Sequence, residues 1–395
     1  MERTDGYVSW WVEEAGAGRP REPEASGPLP AAADVVIVGG GFTGLWTAIR
    51  LRERQPGLDV CVVERRFCGF GASGRNGGIA EPSWAKFPAM VSLYGTEDAV
   101  RLGRAIHDGV GELQRFCSAH GIEADLRLGG HLWMASNRSQ LGAWDKAVSA
   151  LEAAGERRLR RVDADTARQL SGSPTALGGV VEDEAGSLQP AKLVAGLRRV
   201  ALAGGAAVHE GVAVKRLRRG RGGRIGVVTT AGTIAAAKVV VATNAWAAAL
   251  GPVRPHVFVT SSDVIATPPG VAVGAGGEVA AGMAVSDSRR MINYWRSTPD
   301  GRVVFGKGGG AMSVGNRVDR RFSGPSGRAR SVHRAFGRLY PQLAAVAAER
   351  SWCGPIDYSS TGLPYFGPLH PGRPAVLTGV GYSGMGVVQS VLGGR

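Results

Sequence analysis

The sequence lacks the features that mark membrane-spanning, secreted and zinc-binding proteins. Its four cysteines, Cys61, Cys68, Cys117 and Cys353, are scattered through 395 residues without a CxxC pair or the Cys–His spacing of a zinc site. No run of about 18 apolar residues occurs, so no membrane span is expected. The first residues carry mixed charges and lack the basic start and apolar core of a signal peptide. We therefore expect a cytoplasmic protein without a metal site.

Lysine is also scarce, although the formal net charge is +14. Six of the 47 basic residues are lysines, and the others are arginines. Because the chain is also rich in alanine and glycine, a bias in overall composition explains the arginine excess better than a functional basic face does. The densest basic run, residues 216–224, lies between two strand-like segments and has none of the aromatic residues that nucleic-acid-binding grooves interleave with basic ones. A solvated hairpin turn is predicted here, and no nucleic-acid partner is expected, although a weak affinity for anionic surfaces stays open.

Residues 34–64 contain the pattern of a dinucleotide-binding βαβ unit. A short apolar run at residues 35–38 reads as a buried strand, and Gly39, Gly41 and Gly44 then fill the G-x-G-x-x-G positions. The first glycine permits a tight turn, the second lets backbone approach a pyrophosphate, and the third lets the following helix pack close to the strand. A second strand ends at Glu64, 20 residues after Gly44, where a carboxylate can accept hydrogen bonds from ribose hydroxyls.

The glycine pattern alone is weak evidence in this chain. Glycine makes up 61 of the 395 residues, so the pattern is expected about 1.5 times by chance, and it occurs at Gly39, Gly69 and Gly379. Only the first occurrence lies between a strand and a helix, with a second strand and a terminal acid at the right distance. The context therefore predicts a nucleotide site at residues 34–64.

Nucleotide-type elements recur in separated blocks, which predicts a discontinuous cofactor domain with a second domain inserted. The cofactor domain is assigned to residues 34–83, 171–250 and 351–395, the substrate domain to residues 84–170 and 251–350, and an N-terminal arm to residues 1–33. A helix is predicted at about residues 326–348. Residues 352–369 (WCGPIDYSSTGLPYFGPL) are predicted to form a loop.

The assembled motifs resemble the D-amino-acid-oxidase-like family of FAD-dependent oxidoreductases, over roughly residues 6–395. They are ADVVIVGGGFTGLWTAIRL, GASGRNGG at residues 71–78, VVVATNAW at residues 239–246, GLPYFGPL and GVGYSGMG. The gamma-glutamylputrescine oxidoreductases and the sarcosine and glycine oxidases are the most similar members. The resemblance implies an α/β fold, in which an FAD-binding Rossmann-like domain carries an inserted α+β substrate domain on a mostly antiparallel sheet.

The same resemblance implies which residues hold FAD. Glu64 would hold the adenosine ribose, Val212 would contact adenine through its backbone, and the C-terminal glycine segment would approach the pyrimidine side of the flavin. The cofactor residues expected from the resemblance are Gly39, Gly41, Phe42, Thr43, Gly44, Glu64, Ala72, Ser73, Arg75, Asn76, Gly77, Val212, Ala242, Thr243, Trp246, Gly381, Ser383, Gly384 and Met385.

The implied reaction is oxidation of the C–N bond of a small amine or amino acid. Hydride passes to flavin, the imine hydrolyses, and dioxygen or another acceptor takes the electrons; no His–Asp–Ser arrangement is needed, and none is visible. Lys307 resembles a lysine that promotes reaction with dioxygen, with a surface-loop lysine as the alternative. Tyr294 and Arg296, on the run MINYWR, could face the substrate, and Arg296 could bind a carboxylate through its planar fork.

Several alternatives stay open on the sequence alone. Some relatives attach the flavin through a cysteine in the C-terminal loop, but WCGPID departs from their pattern around Cys353. The last helix is short compared with that of relatives, so a flavin-binding protein with impaired or no turnover is the second functional hypothesis. The substrate, the electron acceptor and the oligomeric state are not readable from the sequence.

Overall fold

The computed structural model describes residues 7–16, 27–271, 279–289 and 291–395; the rest of the predicted N-terminal arm lies outside them. The helices are α1 (Trp10–Glu14), α2 (Phe42–Arg54), α3 (Phe87–Tyr94), α4 (Thr96–Ala119), α5 (Asp145–Ala153), α6 (Ala164–Ser171), α7 (Pro190–Ala203), α8 (Ala329–Leu339) and α9 (Gly386–Gly393). The strands are β1 (Ala32–Val38), β2 (Val60–Val63), β3 (Ile79–Ala80), β4 (His131–Met134), β5 (Arg160–Val162), β6 (Gly179–Glu182), β7 (Gly186–Ser187), β8 (Ala207–His209), β9 (Val214–Arg219), β10 (Ile225–Thr229), β11 (Thr233–Val241), β12 (Val257–Ala266), β13 (Ala284–Asp287), β14 (Asn293–Ser297), β15 (Val303–Lys307), β16 (Arg350–Ser359), β17 (Tyr365–Pro368) and β18 (Val376–Val380).

One sheet is parallel at its centre. Its strands follow the order β18-β11-β1-β2-β8, all parallel, with β17 antiparallel to β18 at one edge and the β9–β10 hairpin antiparallel to β11. The basic run at residues 216–224 lies in that hairpin, as predicted. Because parallel strands all end at the same edge, the segments that follow β1, β2, β11 and β18 lie side by side there.

Helices cover this sheet and bury its apolar side chains. Helix α2 packs against α7 and α9, and α9 also packs against α4. Leu45 and Trp46 on α2 are fully buried in this layer, together with Leu197 on α7 and Val391 on α9. None of the helices formed by the described residues combines the length and the apolar character needed to cross a bilayer.

The second sheet is antiparallel except for one pair. Its order is β16-β12-β15-β14-β13-β4-β6-β5, and only β13 and β4 run parallel. One face carries Trp295 and Phe305, which pack against Phe336 of α8. The predicted α/β architecture, a parallel sheet joined to a mostly antiparallel one, is confirmed.

Two local predictions are wrong. Residues 352–369 are not a loop, because β16 runs through Arg350–Ser359; Pro355 is tolerated because β16 is the edge strand and pairs on one side with β12. The helix predicted at residues 326–348 ends at Leu339, since Pro341 disfavours helical geometry at Tyr340, whose φ and ψ are −128° and 73°.

The division into domains stays a prediction. Strand pairing bears on two of its boundaries. Strand β6 and nearly all of β16 fall in segments assigned to the cofactor domain, residues 171–250 and 351–395, but both strands pair in the second sheet. The chain therefore passes between the two sheets as many times as the predicted segments do, but it returns to the parallel sheet later in the sequence, after β6 and after β16.

Candidate active site

A cavity of about 800 Å³ lies where the carboxyl edge of the parallel sheet meets the second sheet. Its walls include the turns after β1 and β2, the 69–77 loop, the start of β9, the segment after β11, and parts of β16 and of the C-terminal loop. The predicted cofactor residues that line it are Gly39, Gly41, Phe42, Thr43, Glu64, Ala72, Ser73, Arg75, Asn76, Gly77, Val212, Ala242, Thr243, Trp246, Ser383, Gly384 and Met385. Gly44 and Gly381 do not line it, although both shape its wall.

The glycine turn after β1 has no room for side chains. A Cβ at Gly39 would lie 2.5 Å from the carbonyl oxygen of Ala242, and one at Gly44 would lie 2.0 Å from the carbonyl oxygen of Gly39. Gly39 also has a φ of +113°, in the region that favours glycine. Gly44 therefore serves helix–strand packing, while Gly39 and Gly41 bring backbone up to the cavity, as a bound diphosphate requires.

The start of α2 is tied to the 69–77 loop. The N–H of Phe42 donates to Ser73 Oγ at 2.9 Å, and the Thr43 hydroxyl contacts that of Tyr382 at 2.5 Å. The positive end of the helix dipole thus points into the cavity, where it favours an anion such as a diphosphate.

Glu64 lies directly after β2, beside the glycine turn. Its carboxylate accepts hydrogen bonds from the N–H groups of Gly40 and Arg66, both at 2.9 Å. Burial raises the pKa of Glu64 from its usual value, and those two N–H groups oppose the rise. A carboxylate has more acceptor positions than these two bonds use, so it can also accept from ribose hydroxyls.

The 69–77 loop is fixed by side chains that bind its carbonyl groups. Arg75 is buried, and its guanidinium donates to the carbonyl oxygens of Phe70, Tyr7 and Cys353 at 2.8, 2.7 and 3.3 Å. Burial lowers the pKa of Arg75 to about 10. Arg75 lines the cavity, but its donors are engaged by main chain, so it positions the loop.

Two tryptophans brace the same loop from behind. The indole N–H of Trp11 donates to the carbonyl oxygen of Asn76, and that of Trp352 donates to the carbonyl oxygen of Arg75, both at 2.9 Å. The Asn76 side chain donates to Ala72 and Ser73 and accepts from the N–H of Gly78. This bracing was not predicted from the sequence, because Trp11 and Trp352 lie far from the motif along the chain.

The end of the cavity predicted for adenine is formed by residues after β2, β8 and β11. Trp246 lies against Gly71, where an added Cβ would be 3.1 Å from the indole ring, and the Arg65 guanidinium stacks over it at 5.5 Å. The N–H of Val212 donates to the carbonyl oxygen of Glu64 at 2.9 Å. Ala242 and Thr243 border this end, next to the glycine turn.

The C-terminal loop is held by Asp357, a residue that was not predicted from the sequence. This fully buried carboxylate lines the cavity and accepts from the N–H of Gly381 at 2.6 Å, and burial raises its pKa to about 7. Ser383 is bound in turn, since its N–H donates to the Asp357 carbonyl oxygen and its hydroxyl accepts from the N–H of Ser359. Asp357 lies in the run predicted as a loop, so no burial was inferred for it.

The three predicted catalytic residues lie in different surroundings. Tyr294 lines the cavity, and its hydroxyl contacts Ser262 Oγ at 2.8 Å. Its ring fills the space that side chains at Gly77 and Gly306 would need, and burial raises its pKa. Of the three, Tyr294 alone faces the space where a substrate would lie.

Arg296 is placed as a structural brace and not as a carboxylate ligand. It does not line the cavity; its guanidinium donates to the carbonyl oxygens of Gly77, Leu188 and Ser297 at 3.0, 2.6 and 3.2 Å. It also stacks on Trp11 at 4.7 Å, and burial lowers its pKa to about 10. With its donors engaged by main chain, the geometry does not support the predicted contact with substrate.

Lys307 lies on the opposite face of the second sheet from Tyr294. Lys307 pairs with Asn293 across β14 and β15, whereas Tyr294 pairs with Gly306, and neighbouring pairs point to opposite faces. The Lys307 ammonium contacts Asn293 Oδ1 at 3.3 Å and borders a separate, smaller cavity, and burial lowers its pKa. Its predicted action on dioxygen next to flavin is therefore not supported by this placement.

Cys353 is buried in β16 and does not line the cavity. Its thiol donates to the carbonyl oxygens of Arg321 and Gly324, and burial raises its pKa to about 11. A thiol in this state is a poor nucleophile, so the geometry does not favour covalent attachment of a cofactor here.

Comparisons with known proteins agree with this geometry. The family model "DAO: FAD dependent oxidoreductase" matches residues 34–395. The chain is 31% identical to the probable oxidoreductase OrdL of Rhizobium meliloti, covering 96% of this chain and 84% of that protein, and 31% identical to gamma-glutamylputrescine oxidoreductase of Escherichia coli, covering 92% and 82%. The fold is that of glycine oxidase from Geobacillus kaustophilus, with a TM-score of 0.74 and 22% identity over 92% of this chain and 93% of that one.

The residues around the cavity have the structural features that bound FAD would need. Backbone lies where only glycine fits, a helix begins at the cavity, and a carboxylate follows the second strand. These are the elements that a dinucleotide requires. On this geometry and on a family match over nearly the whole chain, the protein belongs to the DAO family of FAD-dependent oxidoreductases.

Proposed function

We propose that this protein oxidises the C–N bond of a small amine or amino acid, with FAD held in the 800 Å³ cavity. The observation that carries the proposal is that one cavity is lined both by the glycine turn and by side chains of the second sheet. Gamma-glutamylputrescine oxidoreductase and a glycine oxidase are among the relatives, which supports an amine or amino acid as substrate.

FAD would accept a hydride from the carbon next to the amine nitrogen, and water would then hydrolyse the imine to a carbonyl compound and an amine or ammonia. The chain's own residues hold the reactants. The glycine turn and the start of α2 would hold the diphosphate, and the Asp357-bound loop would border the flavin. Tyr294 and Ser262 form part of the wall where a substrate would lie.

Such a reaction requires the side chains mainly to position the reactants and to exclude water. Tyr294 stays neutral near neutral pH, because burial raises its pKa, so it can donate or accept a hydrogen bond without charge. We assign it a positioning role. Dioxygen or another acceptor would take the electrons, and a cytoplasmic location would suit four buried cysteines, all free.

Anaerobic titration of the purified protein tests the proposal. Polyamines, N-methyl amino acids and glycine are added in turn while the flavin absorbance is followed. Bleaching by at least one of them, with return of the colour on admission of air or an artificial acceptor, is expected. Bound flavin that no amine or amino acid bleaches would instead favour the second hypothesis, a flavin-binding protein without turnover.

A further inference from the structure

An acidic cluster lies in the wall of the cavity. Glu81 follows β3, while His131 and Glu182 are cross-strand partners on β4 and β6. One ligand atom from each of these three residues lies within 4.8 Å of the others. Glu81 and His131 line the cavity, whereas Glu182 lies behind them with an exposed fraction of 4%. Within the described part of the chain, none of the contacts that hold the glycine turn or the 69–77 loop uses this cluster.

The two carboxylates lack a strong cation from the protein. Among the described residues, no lysine or arginine lies within 4.0 Å of Glu81 or Glu182. Glu182 accepts a hydrogen bond from the N–H of Trp84 at 3.3 Å, and the charged groups that act on it, Glu81 and Glu184, are both acidic. Burial raises its pKa well above the usual value. A buried carboxylate beside another carries a large free-energy cost unless a cation or a proton joins them.

His131 is already engaged as a hydrogen-bonding group. Its Nδ1 lies 3.1 Å from Glu81 Oε2, and its Nε2 lies 2.9 Å from Ser286 Oγ. With Glu81 ionised, the first contact needs a proton on Nδ1, so Nε2 accepts from the serine hydroxyl. In this state an ammonium group can bind the carboxylates while the ring keeps its Nδ1 proton, whereas a metal ion that used Nδ1 as a ligand would first have to displace that proton.

Glu81 lies close along the sequence to the part of the cavity where the reacting amine would lie. Gly77, which packs against the ring of Tyr294 in the cavity wall, is four residues from Glu81, and this stretch includes β3. Four residues of extended chain span at most about 14 Å. Gly77, Glu81 and Tyr294 line the same cavity, so a linear molecule with one end beside Tyr294 can lie along the cavity wall toward a cation site at Glu81.

We propose that Glu81 and Glu182, with His131 orienting Glu81, form a subsite for a second ammonium group, so that the substrate is a linear diamine or polyamine. This inference rests on the proposed amine oxidation, but its test measures binding and does not need turnover. The amine at one end of the substrate is oxidised, and the ammonium at the other end stays charged against the two carboxylates.

Calorimetric titration of the holoprotein with its flavin chemically reduced beforehand, without air, tests the subsite, because the amines then bind without reacting. Putrescine and butylamine, which share a four-carbon chain and differ by one ammonium group, are the two probes. We expect putrescine to bind at least about tenfold more tightly, as one added charged hydrogen-bonded contact allows. Glu81→Gln and Glu182→Gln should each bring putrescine to the affinity of butylamine and leave butylamine within about twofold.

Glu184→Gln is the matched control. Glu184 is exposed, pairs with His107 and Arg158, and does not line the cavity. This variant should keep the putrescine preference. Equal affinities in the wild type, or a preference that survives both cluster variants, would overturn the subsite. Stoichiometric zinc binding that these variants abolish, without a diamine preference, would assign the cluster to a metal and also overturn it.

Flavin reduction by the same two amines, measured with the oxidised holoprotein, separates this inference from the proposed function. Reduction by both amines without a preference in binding leaves amine oxidation standing and removes the subsite. A putrescine preference without reduction by any amine supports the subsite and contradicts the proposed function.

Discussion

The hydroxyl oxygens of Thr43 and Tyr382 lie 2.5 Å apart, although 339 residues separate them in the chain. Thr43 is in the first turn of α2, and Tyr382 is in the loop that leads to α9. Burial raises the pKa of Tyr382, so its phenol stays neutral and can donate to the threonine. This contact closes the cavity wall by joining the diphosphate end to the C-terminal loop.

Tyr382→Phe should therefore weaken FAD binding without unfolding the protein. Loss of one buried hydrogen bond costs about 1 kcal/mol, which corresponds to about a fivefold rise in the dissociation constant of FAD. Titration of the apoprotein with FAD, followed by quenching of flavin fluorescence, measures it. Tyr365→Phe is the control, because Tyr365 is exposed on β17 and does not line the cavity. Equal effects of the two substitutions would contradict the role given to Tyr382.

Gly44→Ala should damage the cofactor site through packing alone. The new Cβ would lie 2.0 Å from the Gly39 carbonyl oxygen, so α2 must move away from β1 and the glycine turn must distort. We expect a stability loss of about 1–3 kcal/mol and at least a tenfold weaker FAD affinity. Gly57→Ala is the matched control, since a Cβ added at Gly57 would have no other atom within 4 Å. Melting curves and FAD titrations of the two variants check the prediction; wild-type binding by Gly44→Ala would contradict it.

The first glycine turn was predictable because its geometry is local. Gly39, Gly41, Gly44 and Glu64 lie within 26 residues, and the βαβ connection fixes where each must be. The structure bears this out, with helix α2 beginning at Phe42 and β2 ending at Val63. Sequence spacing alone is sufficient for such a unit, because strand, turn and helix have fixed dimensions.

Tertiary contacts determine which of the predicted side chains reach the cavity, and the sequence alone does not show these contacts. Arg296 and Tyr294 lie on the same face of β14, yet only Tyr294 reaches the cavity, because the Gly77 and Leu188 carbonyl groups engage Arg296. Lys307 was predicted beside the flavin, but the pairing register turns it to the other face. Asp357 lies in a run that was predicted to be a loop but forms the edge strand β16, which tolerates Pro355.

Asp357 should make the protein less stable as the pH rises. Its pKa is raised from the usual value of 3.8 to about 7 because the carboxyl group is buried. The native state therefore holds a proton that the unfolded chain releases between about pH 4 and about pH 7, and stability falls across that window. Asp357→Asn should remove this fall, worth up to about 4 kcal/mol, while its amide oxygen still accepts from Gly381.

Melting temperatures of both proteins across this pH range measure the effect. The difference between the two curves isolates Asp357 from the other titrating groups, since the rest of the chain is unchanged. A constant difference from about pH 4 to about pH 8 would show that Asp357 has an ordinary pKa.

Arg296→Met should reduce stability and leave substrate preference unchanged. The substitution keeps much of the volume but leaves the carbonyl oxygens of Gly77 and Leu188 without their donor, which costs about 1–3 kcal/mol for each group. Thermal melting should fall, whereas the ratio of KM values for amino acids and simple amines should not change. Arg317→Met, at an exposed arginine, is the control. A KM rise confined to amino acids, with melting unchanged, would place the guanidinium on the substrate carboxylate instead.

The most direct test of the central claim is the cofactor content of the purified protein. Heat or acid releases a non-covalently held cofactor, and mass spectrometry with absorbance identifies and counts it. The geometry of the cavity predicts FAD at about one molecule per chain, released intact because Cys353 lies outside the cavity wall. A protein that contains no flavin and binds none when FAD is added would contradict the account.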